Sequence, residues 1–277
     1  MSNLNKKTIT KDTNGKLPSG VYQAVKKDGS IYFRISLTFK GKHISLGSSD
    51  DLEIAALTYD EARYLLLSDD SVMEFSSYDY IPFDKYICLI NFRDNGVYFK
   101  NPIYLNKRFF SYFLDPDTEY KFDNDDLFYY SQHKIQRRGG HLFTENYGTQ
   151  LSLGSRYGIH PFAVEGRDFT FKNSDNTDYR YENIDIINRF LGVEVIKDSY
   201  PKRYRATIHV NGYFNLGVFD SEEEAAVAFN KARDLIRRKG IKDKIPANYI
   251  PDLNAQQYAE MYESIVLPDR FLASVDL

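Results

Sequence analysis

The chain has 277 residues and a net charge of −3; 42% are hydrophobic and 27% charged, as in a globular protein of two or three small domains. Its one cysteine, Cys88, excludes an internal disulfide and a cysteine-based zinc cage, and suits a reducing compartment. No stretch approaches the roughly 18 apolar residues of a membrane-spanning helix, and the mildly acidic balance argues against indiscriminate coating of nucleic acid.

Charge is unevenly placed along the chain. Lys6, Lys7, Lys11, Lys16, Lys26, Lys27, Arg34, Lys40 and Lys42 face only Asp12 and Asp28 before Ser49. Residues 1–18 read as a basic flexible arm without the apolar core of a secretory signal, so a cytoplasmic location is expected. Next, Ile31, Phe33, Ile35 and Leu37 alternate with Tyr32, Arg34, Ser36 and Thr38, the period of a half-buried strand. Lys40-Gly41-Lys42 is a turn signal, and Ala55, Tyr59, Ala62 and Leu66 share one face of a helix.

The pattern returns near the other end. Phe33-Arg34-Ile35-Ser36-Leu37, with Gly41 and Leu46-Gly47, matches Tyr204-Arg205-Ala206-Thr207-Ile208, with Gly212 and Leu216-Gly217. The run Ala55 to Arg63 aligns without a gap on Ala225 to Arg233, and Tyr80-Ile81-Pro82 answers Tyr249-Ile250-Pro251. Asn211-Gly212 supplies the second turn, Ser221 with Glu224 reads as a capping box, and Ala225, Phe229, Ala232 and Ile236 form the buried helical face. Each copy is thus predicted as a three-stranded antiparallel sheet backed by one helix.

Gly20-Val21-Tyr22, Phe33-Arg34, Leu46-Gly47 and the Ala-Ala helix resemble the plant APETALA-two (ethylene-response-factor) domain and its bacterial relatives, over about 45 residues at each end. The resemblance implies a sheet laid in the DNA major groove. It departs from the family where Phe33 and Tyr204 replace the first-strand Trp. On this basis Lys26, Lys27, Arg34, Lys40, Lys42 and His43 in the first copy, and Lys202, Arg203, Arg205 and His209 in the second, are the expected DNA contacts. Arginine can fork onto guanine, and lysine neutralises phosphate. The basic surroundings of the first copy favour it as the stronger source of phosphate attraction.

Between the copies, Tyr86–Ile90, Val97–Phe99 and Ile103–Leu105 read as strands, and Arg137-Arg138-Gly139-Gly140 as a turn. The run Asn173 to Ile184 resembles the second half of the HNH nuclease motif. Where that motif places its catalytic His, this chain has Thr170 and Phe171, which neither take a proton nor bind a metal. His160 is the nearest substitute, with His133 and His141 further back. The segment is therefore expected to be a degenerate HNH unit, with no catalytic residue, metal or cofactor. Asp178, Arg180 and Asn183 would serve structure, and Arg156, Arg167 and Arg180 could meet phosphates.

The expected fold class is α+β: two sheet-and-helix copies flanking a central mixed α/β HNH-like unit. The expected boundaries are 1–18 for the arm, 19–83 for the first copy, 84–190 for the centre, 191–252 for the second copy and 253–277 for a helical tail. The tail is expected to dock on its own domain or, alternatively, to make a homodimer contact. The expected function is a non-catalytic, sequence-preferring duplex DNA-binding protein: a transcriptional regulator, or an accessory protein of a phage or mobile element. Two other readings stand beside it. One is an HNH homing-type endonuclease; the other is an inhibitor that engages a basic host defence nuclease through the acidic residues between Asp115 and Asp126.

Overall fold

A computed structural model describes residues 16–146, 148–210, 212–241 and 244–275. Most of the basic arm, including Lys6, Lys7 and Lys11, lies outside the described residues, as does Asn211 of the second turn. The architecture is α+β, built from small antiparallel sheets and several helices, and divides into two compact units, Met1–Lys134 and Ile135–Leu277. Residues 84–190, expected as a central unit, are shared between the two. Among the described residues no helix is long and apolar enough to cross a membrane.

The first unit opens with β1 (Val21–Val25), β2 (Ile31–Phe39) and β3 (Lys42–Ser49), in the order β1-β2-β3. Val21, Ile35, Leu37, Ile44 and Leu46 line the inner face and pack against Ala55, Ala62 and Leu65 of α1 (Leu52–Leu65). The alanines, fully buried, let this helix lie close to the sheet. Its first turn is capped by Asp51, whose side chain accepts the amides of Glu53 at 2.7 Å and Ile54 at 3.2 Å.

The Leu46-Gly47 pair is a β-bulge. Ser36 pairs with Ser45 and Ile35 with Gly47, so Leu46 is the extra residue. It drops its side chain into the core, and Gly47 takes the positive φ of 114° that closes the irregularity.

Tyr86–Ile90 is not a strand but part of α2 (Phe83–Asn95). Every residue from Tyr86 to Phe92 is buried, and a run buried on all sides carries no period that separates strand from helix. Gly96, left-handed at φ 73°, ends the helix. Val97–Phe99 forms no strand either, whereas Ile103–Leu105 is strand β4 as expected. Cys88 sits in α2, fully buried, and burial pushes its thiol up to about 12, so it is inert. The sheet β4-β5-β6 follows, with β5 at Phe109–Asp115 and β6 at Thr118–Asp123. Phe110, Tyr112 and Phe122 of this sheet bury their rings against Tyr130 of α3 (Leu127–Gln132).

The second unit begins with a sheet of β7 (Ile135–Arg138), β8 (His141–Asn146) and β9 (Thr149–Ser152). A two-stranded hairpin, β10 (Phe169–Phe171) with β11 (Ile184–Ile186), comes next. The second copy then comprises β12 (Val193–Val195), β13 (Tyr204–His209), β14 (Tyr213–Phe219) and α4 (Glu222–Arg238). Ala225, Phe229, Ala232 and Ile236 are buried, as the helical period predicts. Ser221 caps α4 through the Glu224 amide at 3.1 Å, but the Glu224 carboxylate reaches past Ser221 to the amide of Asp220, so the expected reciprocal box is only half made. The tail forms α5 (Ala255–Ser264) and α6 (Asp269–Val275), and Ile265, Leu267, Phe271 and Val275 complete the core under the second sheet.

Candidate nucleic-acid interface

Because each sheet is covered by its helix on one side, the other side is the surface left to a partner. In the first sheet β2 sends Tyr32, Arg34 and Thr38 outward, opposite to the buried Ile35 and Leu37, while Ser36 between them is buried as well. Register places Tyr22, Arg34 and Ser48 in one cross-strand row, and Thr38 opposite His43 in another. Tyr22, Arg34, His43 and Ser48 are all exposed.

The second sheet repeats this frame. Ala206 pairs with Gly217 and Thr207 with Asn215, so the bulge recurs at Leu216. Arg205 therefore stands where Arg34 stands, on the outer face one residue ahead of the bulge. Its row differs, with Glu194 on one side and Val218 on the other in place of Tyr22 and Ser48. His209 lies further along, its ring 4.7 Å from that of Tyr213.

The other expected contacts lie off these faces. Lys40 turns back at the hairpin end to the Arg93 carbonyl at 3.0 Å, and Lys42, opposite the inward Phe39, sits 5.4 Å from the Tyr98 ring. Lys26 pairs with Asp50 at 2.7 Å, and Arg203 with Asp220 at 3.1 Å. These two carboxylates occupy matching places after the third strand, so each copy neutralises one of its own edge cations. Lys27 and Lys202 are exposed in the approaches to the sheets.

The hairpin of the HNH resemblance is a polar lock. Asp178 is 1% exposed and accepts from Arg180 through Nε at 2.8 Å and Nη2 at 2.6 Å. Burial opposes ionisation of Asp178, but the hydrogen bonds from Arg180 and Asn173 outweigh it and hold the carboxyl below its usual range. Asn183 donates to the Asp178 carbonyl at 2.8 Å and accepts the Asn173 amide at 2.9 Å. Arg180 also pairs with Glu182 at 3.1 Å, so its guanidinium is committed to two carboxylates.

Asp168 anchors the preceding loop in the same way. Its carboxyl stays low because hydrogen bonds from Arg167, the Val164 amide and Asn188 overcome the cost of burial. Asn188 extends this link to β12 by accepting the Val195 amide at 2.9 Å. Arg167 keeps half its side chain exposed, and its hydrogen bond to Asp168, with a smaller contribution from the charge of Glu194, raises its pKa. Arg156 is exposed on the short helical turn Leu153–Tyr157.

His160 does not face solvent. Its side chain is 6% exposed, Nδ1 lies 2.8 Å from the Pro161 carbonyl, and Nε2 lies 3.8 Å from Asp168 without a hydrogen-bond partner. A ring so enclosed is poorly placed to activate water. Thr170 pairs with Asp185 across the hairpin, and Phe171 is buried. Among the described residues, no three His, Cys, Asp or Glu side chains gather as metal ligands would.

The acidic stretch is not a continuous face. Asp126 is 1% exposed, Asp115, Glu119 and Asp123 are half-buried, and only Asp117 and Asp125 are exposed.

The chain matches no protein-family model, no curated protein and no solved structure significantly.

One element of the repeat is clear only in three dimensions. Gly192-Val193-Glu194 is the counterpart of Gly20-Val21-Tyr22. The Gly20 carbonyl accepts the Ser36 amide at 2.9 Å, and the Gly192 carbonyl the Thr207 amide at 2.7 Å. The shared Gly-Val pair was a visible signal, weakened by the acid that follows it in the second copy.

Proposed function

We infer that the chain binds duplex DNA, without catalysing a reaction on it, through the outer faces of its two small sheets. The observation that carries this reading is the repeated frame: Arg34 and Arg205 occupy the same exposed position beside the same bulge, on faces whose reverse sides are sealed by a helix. A guanidinium fixed on a rigid strand can fork onto guanine or phosphate, and the major groove is wide enough for such a ribbon. The resemblance to the APETALA-two domain supports the same reading.

The two faces are unequal partners for a polyanion. The first carries Tyr22, Arg34 and Ser48 in its row, all able to donate hydrogen bonds. In the second, Glu194 stands beside Arg205 and repels phosphate, so the first sheet contributes the larger share of affinity.

Salt-dependent binding to a random pool of labelled duplexes tests the proposal. Arg34→Ala combined with Arg205→Ala is expected to weaken binding roughly thirtyfold or more, at about 1–3 kcal/mol for each of the two lost bidentate contacts. Undiminished affinity in the double variant would remove the sheets as the binding surface.

A further inference from the structure

Pro161 and Phe162 occupy the middle of a four-residue turn, His160 to Ala163, closed by the Ala163 amide donating to the His160 carbonyl at 3.2 Å. Phe162 is left-handed, at φ 63°. A turn with proline second and positive φ third is one that calls for glycine in the third place. A side chain there crowds the following carbonyl, and a bulky one in that region is an outlier. Burial does not offset the strain: the Phe162 ring is 71% exposed and joins neither hydrophobic core.

The turn is anchored on both sides. The His160 ring before it is enclosed, with Nδ1 2.8 Å from the Pro161 carbonyl. After it, the Val164 amide donates to the buried Asp168 carboxylate at 2.8 Å, and the Asp168 amide donates back to the Val164 carbonyl at 2.8 Å. Asn188 donates to the other Asp168 oxygen at 3.1 Å and accepts the Val195 amide of β12 at 2.9 Å. The turn is thus tied by hydrogen bonds to an edge strand of the second sheet, the sheet that carries Arg205. Strain in so braced a segment is the kind found at functional positions.

The size of the feature narrows what could cover it. An aromatic side chain buries about 150–250 Å², well short of the roughly 800 Å² that each partner gives to a stable protein interface. A projecting ring is suited instead to a partly opened base-pair step, where both of its faces are covered at once. We propose that Phe162 is a wedge that enters between two base pairs of the bound duplex, partly unstacking them and kinking the axis. The role rests on the duplex-binding reading, but it uses a residue that neither sheet supplies.

The test relaxes a closed circular plasmid with topoisomerase I in the presence of saturating full-length chain at low salt, and reads the topoisomers once the protein is removed. Unstacking untwists the duplex, so wild type is expected to leave the plasmid underwound and Phe162→Ala to leave it relaxed. Phe162→Leu, still an apolar wedge, is expected to restore most of the effect. Phe162→Gly is expected to melt no lower than wild type, since glycine takes positive φ without strain. A clearly lower midpoint would make the ring a packing group and overturn the wedge. Bound wild type that leaves the plasmid relaxed, or an unchanged shift in Phe162→Ala, also overturns it while the duplex-binding reading stands. Underwinding that survives undiminished in Arg34→Ala/Arg205→Ala keeps the wedge and removes the sheets. If wild type does not bind the plasmid at low salt, both proposals fall.

Discussion

Asp178 shows how a single side chain can hold a stretch with almost no core. It is almost wholly enclosed, and Arg180, Asn173 and the backbone supply donors to both of its oxygens. Its carboxyl therefore titrates below the unfolded value of about 3.9, and the sign of its contribution follows. Stability from this group is full above the unfolded value and is lost as pH falls through the lower folded one. Asp178→Asn keeps the shape but gives up the charge, and should cost on the order of 1.5–3 kcal/mol at neutral pH. In a series of urea midpoints against pH, the acid limb of the variant should be shallower than that of wild type. Parallel acid limbs would show that Asp178 is not held as described. The roles of Asp178, Arg180 and Asn183 were expected from the resemblance to the HNH motif, whereas the part that Asn173 plays was not. The burial of His160 was not legible, since a loop histidine leaves no periodic trace of the side it faces.

At the scale of elements, the two copies are locked by a glycine against a ring. Gly20 has φ 71° and Gly192 φ 75°. A Cβ on Gly20 would run into the Tyr59 ring and the Ser36 carbonyl; one on Gly192 would meet the Phe229 ring and the Thr207 carbonyl. Alanine at either position combines a left-handed backbone with overpacking, and should cost about 2–4 kcal/mol. Thermal unfolding of each single variant checks this, and an unchanged midpoint would show that the ring and strand give way freely. Alternation in β2 and the alanine face of α1 made these elements readable before any coordinates. The bulge was readable only as an unexplained Leu-Gly match, because its meaning lies in the pairing with another strand. For α2 the sequence was misleading, since Tyr86-Ile-Cys-Leu-Ile carries strand-favouring residues yet is buried all round.

On the scale of the whole chain, the organising fact is a pair of cores. One joins the first sheet, α1 and α2; the other joins the second sheet, α4 and the tail helices. Each is large enough to fold as a unit, so fragments spanning 1–134 and 135–277 should each unfold cooperatively in urea. A fragment with a featureless, gradual transition would show that its unit depends on the other. The repeat announced two similar domains, but not that the segment between them would be divided, because sequence similarity marks only the parts that were copied.

Behind the helices, the two copies have parted ways. In the first, Glu61 accepts the amides of Asp79, Tyr80 and Ile81, drawing the exit segment onto the helix. The corresponding residue in the second is Lys231, which donates hydrogen bonds to the carbonyls of Tyr262 and Ile265. Asn230, one place earlier, holds the exit segment there by bonding both ways with the Asn248 backbone. A hydrogen-bond-accepting clasp in one copy stands where the other has a donating one. The sheets remain built to a shared plan, but the helices are no longer spare parts for each other. Transplanting α1 in place of α4 would seat its ring over the glycine but leave the Tyr262 and Ile265 carbonyls without the lysine that binds them.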